Sequence, residues 1–282
     1  MTHKNDMRAW DEIACQRGHT EHISRKVHVD LSKRHGYRDL PQVPRHMAVE
    51  FDMNIWDTSI YPVDGSAFYC PSHDAVSETI LSHGIWEPRE TIVALHAFQN
   101  APEGSVFYDM GAQMGWFTLL AGACGVPVEA WECDKDNLRL LWENWKLNRG
   151  GSLTSDFGRI GPESKVLEPD RRICLAKIDL EGAERDAIRM LWPSIEAGLV
   201  DRLLIEISPC FDSYYGDLVL DLLDAGYAAY RLPEKGQAVG HGDFDGSERS
   251  LAAWHLDEML IDIPRWIAGL WQEDLVFIRQ GS

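Results

Sequence analysis

The sequence predicts an α/β fold: a doubly wound, mostly parallel seven-stranded sheet with a C-terminal antiparallel hairpin and an N-terminal cap or extension. Three observations lead there. Strand-like apolar runs alternate with amphipathic stretches from Ser105 onward, the order that gives right-handed crossovers and helices on both faces. A glycine-containing turn follows the first of these strands and opens into a helix. The chain has 282 residues and is 45% hydrophobic, enough for one large core.

The predicted strands are Val106 to Met110, Val128 to Glu132, Leu175 to Leu180 and Leu203 to Ser208, with Ala228 to Leu232 and Leu275 to Arg279 as the closing antiparallel pair. A short or displaced third strand is expected over Gly151 to Phe157. Helices are predicted near Gly115 to Cys124, Asp134 to Asn148, Ala183 to Ala197 and Ser213 to Ala225. Upstream, Asp74 to His83 and Glu90 to Gln99 carry helical spacing, and Met47 to Tyr69 reads as two short strands or a hairpin. The chain therefore divides into a basic, His-rich extension over 1–46, a cap over 47–103 and the main domain over 104–282.

Charge separates these parts. The extension holds nine Lys/Arg against six Asp/Glu, a net of +3, which leaves −21 on the rest of a chain whose total is −18. A body of that sign repels phosphate backbones and anionic headgroups, so neither nucleic acid nor membrane surface is an expected partner. The most apolar stretch, Trp116 to Val128, is interrupted by Gly122, Gly125 and Pro127 and is too short to span a bilayer. The first thirty residues contain no secretory pattern and the six cysteines form no C-x-x-C pair, so the expected setting is reducing and cytoplasmic.

The chemistry is carried by Val106-Phe107-Tyr108-Asp109-Met110-Gly111-Ala112-Gln113-Met114-Gly115-Trp116. Gly111 and Gly115 let a ligand approach the backbone, and the helix that starts beside Gly115 points free N–H groups at it. The spacing is D-x-G-x-x-x-G, not the dinucleotide G-x-G-x-x-G, and an acid at Asp109 opposes a pyrophosphate. Glu132, at the end of the next strand, is placed to accept hydrogen bonds from both hydroxyls of a ribose. Asp109 and Glu132 together suit a cationic adenosyl donor, S-adenosylmethionine, with Gly111, Ala112, Gln113, Gly115, Trp116 and Cys133 around it. Asp156 is the expected contact of the adenine amino group.

These residues, with Leu140-Leu141-Trp142-Glu143-Asn144-Trp145-Lys146-Leu147-Asn148, resemble the FkbM family of class I S-adenosylmethionine-dependent methyltransferases. A second block strengthens the resemblance: Lys177-Ile178-Asp179-Leu180-Glu181-Gly182-Ala183-Glu184 is similar to the family's K-[IV]-D-[VIL]-E-G-x-E signature, and Leu203-Leu204-Ile205-Glu206 to the acidic strand after it. It covers roughly Ser77 to Arg279 with gaps. What it implies is a Rossmann-like methyltransferase acting on a hydroxyl of a small metabolite or sugar.

Asp179, Glu181 and Glu206 are the expected catalytic residues, each able to serve as general base, to hold the acceptor, or to bind a divalent metal such as Mg²⁺. Capping is an equal reading for Asp179 alone, and Asn148 is as good a C-cap as a ligand contact. Glu184 and Asp186 read as complements of a helix dipole, and His241-Gly242-Asp243-Phe244-Asp245-Gly246 as a solvated rim loop. Trp86 and Trp116 are expected at the cofactor end, and Trp142, Trp145, Trp192 and Trp266 in packing. Competing functions are N-methylation, a catalytically silent donor-binding subunit, and an NAD-dependent oxidoreductase, the last disfavoured by the glycine spacing.

Overall fold

The computed structural model describes residues 25–27, 47–51, 67–70, 75–83, 86–148, 152–207, 215–233, 244–255, 258, 259, 262, 264 and 272–281. Most of the extension, Trp266 and the loop segment 241–243 lie outside them.

The extension and the cap together supply a three-stranded antiparallel sheet, β1 (Arg25–Val27) from the first and β2 (Met47–Phe51) and β3 (Ala67–Cys70) from the second, in the order β1-β2-β3. The β2–β3 pair is the expected hairpin, and β1 is an addition to it. Two helices follow, α1 (Ala75–His83) and α2 (Pro88–Gln99). Proline at the first position of α2 lacks the N–H that a helix start would leave unused, so the boundary is set by Pro88.

The main sheet is built from β4 (Val106–Met110), β5 (Val128–Glu132), β6 (Leu153–Phe157), β7 (Ile173–Ile178), β8 (Arg202–Ile207), β9 (Tyr227–Arg231), β10 (Ala252–Ala253) and β11 (Glu273–Arg279). Their order is β10-β9-β11-β8-β7-β4-β5-β6. Pairing is parallel from β8 through β6, and β11 enters antiparallel between β8 and β9. The closing pair is therefore present, but joined by a long connection, and the two-residue β10 adds an eighth strand at the edge. The expected third strand is present as β6, pairing with β5 so that Trp131 stands opposite Asp156.

Helices α3 (Trp116–Ala123), α4 (Lys135–Leu147), α5 (Glu184–Glu196) and α6 (Tyr215–Asp224) connect the strands. Side chains alternate across the central strands. Phe107, Leu175, Leu204 and Val276 join α2, α3 and α4 in one core, whereas Tyr108, Ile178, Leu203 and Phe277 join α5 and α6 in the other. Strands β4 and β7 are buried along their whole length, as expected for strands covered on both faces. Trp145 is buried against Gly122, where a Cβ would come within 2.5 Å of the indole. Trp142 and Trp192 pack at the edges of the two cores, so the packing expectation holds for the described tryptophans.

One boundary differs. The fourth parallel strand was expected to run to Leu180, but β7 ends at Ile178. Glu184 explains the early end. Fully buried, its carboxylate accepts the backbone N–H of Leu180 and Gly182 at 3.0 and 3.1 Å and the Tyr215 hydroxyl at 2.5 Å. Those bonds hold residues 180–182 in a turn, while the Asp179 N–H still donates to the Met110 carbonyl at 3.0 Å at the strand end. Glu184 is thus a staple with a larger structural task than complementing a dipole.

Candidate functional site

The chain leaves β4 toward β5 and β6 on one side and returns to β7 and β8 on the other. The sheet thus reverses direction between β4 and β7, the position where ligands dock in doubly wound folds. A cavity of about 820 Å³ opens there, within the size range of small-molecule sites.

Its floor is the glycine turn. Gly111 has φ +90°, and a Cβ on it would lie 1.9 Å from the Asp179 carbonyl oxygen, so the two strand-end turns touch only because residue 111 has no side chain. Gly115, at φ +93°, packs on Leu141 outside the cavity lining and turns the chain into α3. The buried Asn144 amide donates to the Met114 carbonyl at 2.8 Å and holds the turn from α4. Ala112, Gln113, Trp116, Cys133 and Trp86 line the cavity. The Trp116 indole N–H donates to Thr91 Oγ1 at 2.9 Å, tying α3 to α2.

The two anchoring acids occupy different places. Glu132 lines the cavity, with one carboxylate oxygen accepting Gln113 N–H and the other Asp134 N–H, both at 2.7 Å. Those bonds fix its carboxylate at the end of β5. Asp109 does not line it. The side chain is 1% exposed and accepts the Thr118 hydroxyl at 2.6 Å beneath the turn, and burial pushes its carboxyl up to about 6. Its contribution is to hold the turn from below, a correction to the expectation that it faces a ligand. Asp156 is also outside the lining, but exposed, one residue before the end of β6, and Gly158, Arg159 and Ile160 stand in the lining instead. Asn148 caps α4, its amide donating to the Asn144 carbonyl at 2.7 Å.

At the other end, Asp179, Glu181 and Glu206 all line the cavity, and their carboxylate oxygens come within 4.8 Å of one another, close enough to share one cation. Lys177 stands beside them, 4% exposed, donating to Asp179 at 2.8 Å and lying 4.8 Å from the Phe117 ring centroid. Burial alone would lower the Lys177 ammonium, but Asp179 and Glu87 together hold it well above the usual lysine range. Burial, Asp179 and Glu184 raise the Glu181 carboxyl.

Sequence reasoning missed three acids that line the cavity, Glu87 before α2, Glu90 within it and Asp274 on β11. Burial raises Glu87 to about 7 and Asp274 well above the carboxylate range. Among the described residues three non-glycine residues have positive φ: Glu87, Gln113 and Glu181, at 42°, 49° and 52°. All three line this cavity, the placement expected when backbone strain is held at a functional site.

The fold is that of a Rossmann-like α/β protein, with a cavity at the switch point of its sheet. Among solved structures it is similar to a TehB-like SAM-dependent methyltransferase from Corynebacterium glutamicum, at 13% identity over 72% of this chain and 94% of that one, with a TM-score of 0.44. TYW2 from M. jannaschii, solved in complex with AdoMet, has 14% identity over 84% and 88% of the two chains and a TM-score of 0.44. Magnesium protoporphyrin IX methyltransferase from Synechocystis, solved with bound SAM, has 13% identity over 74% and 86%, with a TM-score of 0.41. No family profile matches the chain, and no curated protein matches it significantly.

Proposed function

We propose that the protein is an S-adenosylmethionine-dependent methyltransferase of the FkbM type that methylates a hydroxyl of a small molecule. The observation that carries this reading is one cavity with a ribose-type acid at one end and an acidic well at the other. Glu132, held by two backbone N–H groups, accepts the ribose diol. The turn at Gly111 takes the methionyl part, and Gly158 and Ile160 flank the base. The sulfonium then points toward Asp179, Glu181 and Glu206.

Methyl transfer asks little covalent work of a protein: it must align donor and acceptor and dispose of one proton. Asp179 is positioned for alignment, because Lys177 fixes its carboxylate at 2.8 Å. Glu181 and Glu206 complete a wall that hydrogen-bonds the acceptor. The acidic wall suits a neutral or cationic acceptor over an anionic one, and the charge of the main body points the same way. A divalent ion would be held by Asp179, Glu181 and Glu206 and would acidify the hydroxyl.

Titration calorimetry with S-adenosylmethionine and with NAD tests the reading. Saturable binding of the first and none of the second is the expected result, and NAD binding without donor binding overturns it. A screen of hydroxylated compounds for a methyl mass gain then identifies the acceptor.

A further inference from the structure

Of the three cavity carboxylates that this scheme leaves without a task, Glu87, Glu90 and Asp274, the first is the one with an unpartnered oxygen. Glu87 sits at the N-terminal cap of α2, yet its side chain caps nothing. Its Oε2 is buried, accepts no hydrogen bond and lies 3.5 Å from Lys177 Nζ. The backbone is left-handed at φ 42°, a strained conformation for a glutamate that has to be held by the surrounding fold.

Every element packed around Glu87 brings charge. Helix α2 contributes Arg89 and Glu90, paired at 2.9 Å, and β7 contributes Lys177, with Asp179 just beyond it. Glu206 comes from β8 and Asp274 from β11. Two cations thus face five carboxyl groups, and burial and crowding lift Glu87 to about 7. Only protons or an incoming cation can balance such a well.

We propose that Glu87 is the counter-charge that tells the donor from its product, yielding a proton when the sulfonium arrives and taking the acceptor's proton when the methyl group leaves. The inference rests on the methyl-transfer reading and deepens it. In the reaction the acceptor oxygen bonds the methyl carbon, the methyl–sulfur bond breaks with its electron pair left on sulfur, and the hydroxyl proton ends on the Glu87 carboxylate. One positive and one negative charge disappear together. A sulfonium in the well is therefore matched by a carboxylate, and a thioether by a carboxylic acid.

Calorimetry on the full chain with S-adenosylmethionine and S-adenosylhomocysteine, in phosphate and Tris from pH 6 to pH 8, tests this. For a group titrating at about 7, donor binding releases about half a proton at pH 7 and product binding takes up about half, so the donor-over-product affinity ratio rises about 100-fold from pH 6 to pH 8. In Glu87→Gln the release disappears and the ratio stays flat, while the donor still binds at pH 8. Equal proton release for both ligands, no release for either, or an unchanged ratio in the variant overturns the proposal. Should the variant not fold, the wild-type comparison of donor with product decides alone. Binding of neither ligand overturns the methyltransferase reading itself, an outcome distinct from donor binding without proton release.

Discussion

Replacing Glu132 by glutamine separates the ribose anchor from its structural part. The carboxylate is 7% exposed and accepts two backbone N–H groups at 2.7 Å. Glutamine keeps one acceptor but turns an NH₂ toward the other N–H, donor against donor, which costs roughly 1.5–3 kcal/mol for a lost charge-assisted bond. At about 2–4 °C per kcal/mol for a chain of this size, the melting temperature falls by roughly 3–12 °C. The ribose loses a charged acceptor as well, so the affinity for S-adenosylmethionine falls by roughly 10–150-fold. Calorimetric titration beside thermal unfolding measures both, with Asp156→Ala as the control that changes donor affinity less than about twofold. Donor affinity unchanged in folded Glu132→Gln refutes the assignment of the ribose to β5, and strong weakening in Asp156→Ala returns the adenine contact to β6.

Asp179→Asn keeps the volume and lowers turnover by on the order of 100-fold or more, with donor affinity within about threefold, because the residue faces the acceptor; steady-state kinetics beside calorimetry would show the reverse pattern if it held the donor. Gly111→Ala places a methyl group 1.9 Å from the Asp179 carbonyl oxygen and demands φ +90°, so donor binding is lost even where the chain folds, as ligand-induced thermal shifts will report. Asp109 binds its proton more tightly folded, at about 6, than unfolded, at about 3.9, so its ionisation costs stability at neutral pH and that cost is relieved as pH falls from about 7 toward 4. Asp109→Asn is therefore more stable than wild type by about 2–3 kcal/mol at pH 8, with the gap closing toward pH 4 in denaturant titrations, and a gap independent of pH contradicts the assignment.

Much of this was legible in the chain. Strands β4 and β5 end where the apolar runs end, and Glu132 follows from its position at the end of the second. The order of β9 and β11 was legible as a pairing but not as an insertion, because nothing local says that a final strand will slip between two earlier ones. Asp109 was misplaced for a physical reason. A central strand covered on both faces buries its last residues too, and the Thr118 hydroxyl that accommodates the acid is nine residues away. Glu87 was missed although a signal existed: Pro88 marks a helix start, which leaves the residue before it at a cap facing the sheet edge. That it faces Lys177 is a tertiary fact, set by how α2 packs over β7. Glu184 shows the converse, since its value as a staple depends on Tyr215, 31 residues on.

A crystal structure of the chain with S-adenosylhomocysteine bound tests the central claim most directly. The account predicts the ribose hydroxyls on Glu132, the amino-acid portion over Gly111 and the sulfur facing Asp179 and Glu87. A ligand bound anywhere else on the sheet, or turned so that its ribose lies against Asp179, would contradict it.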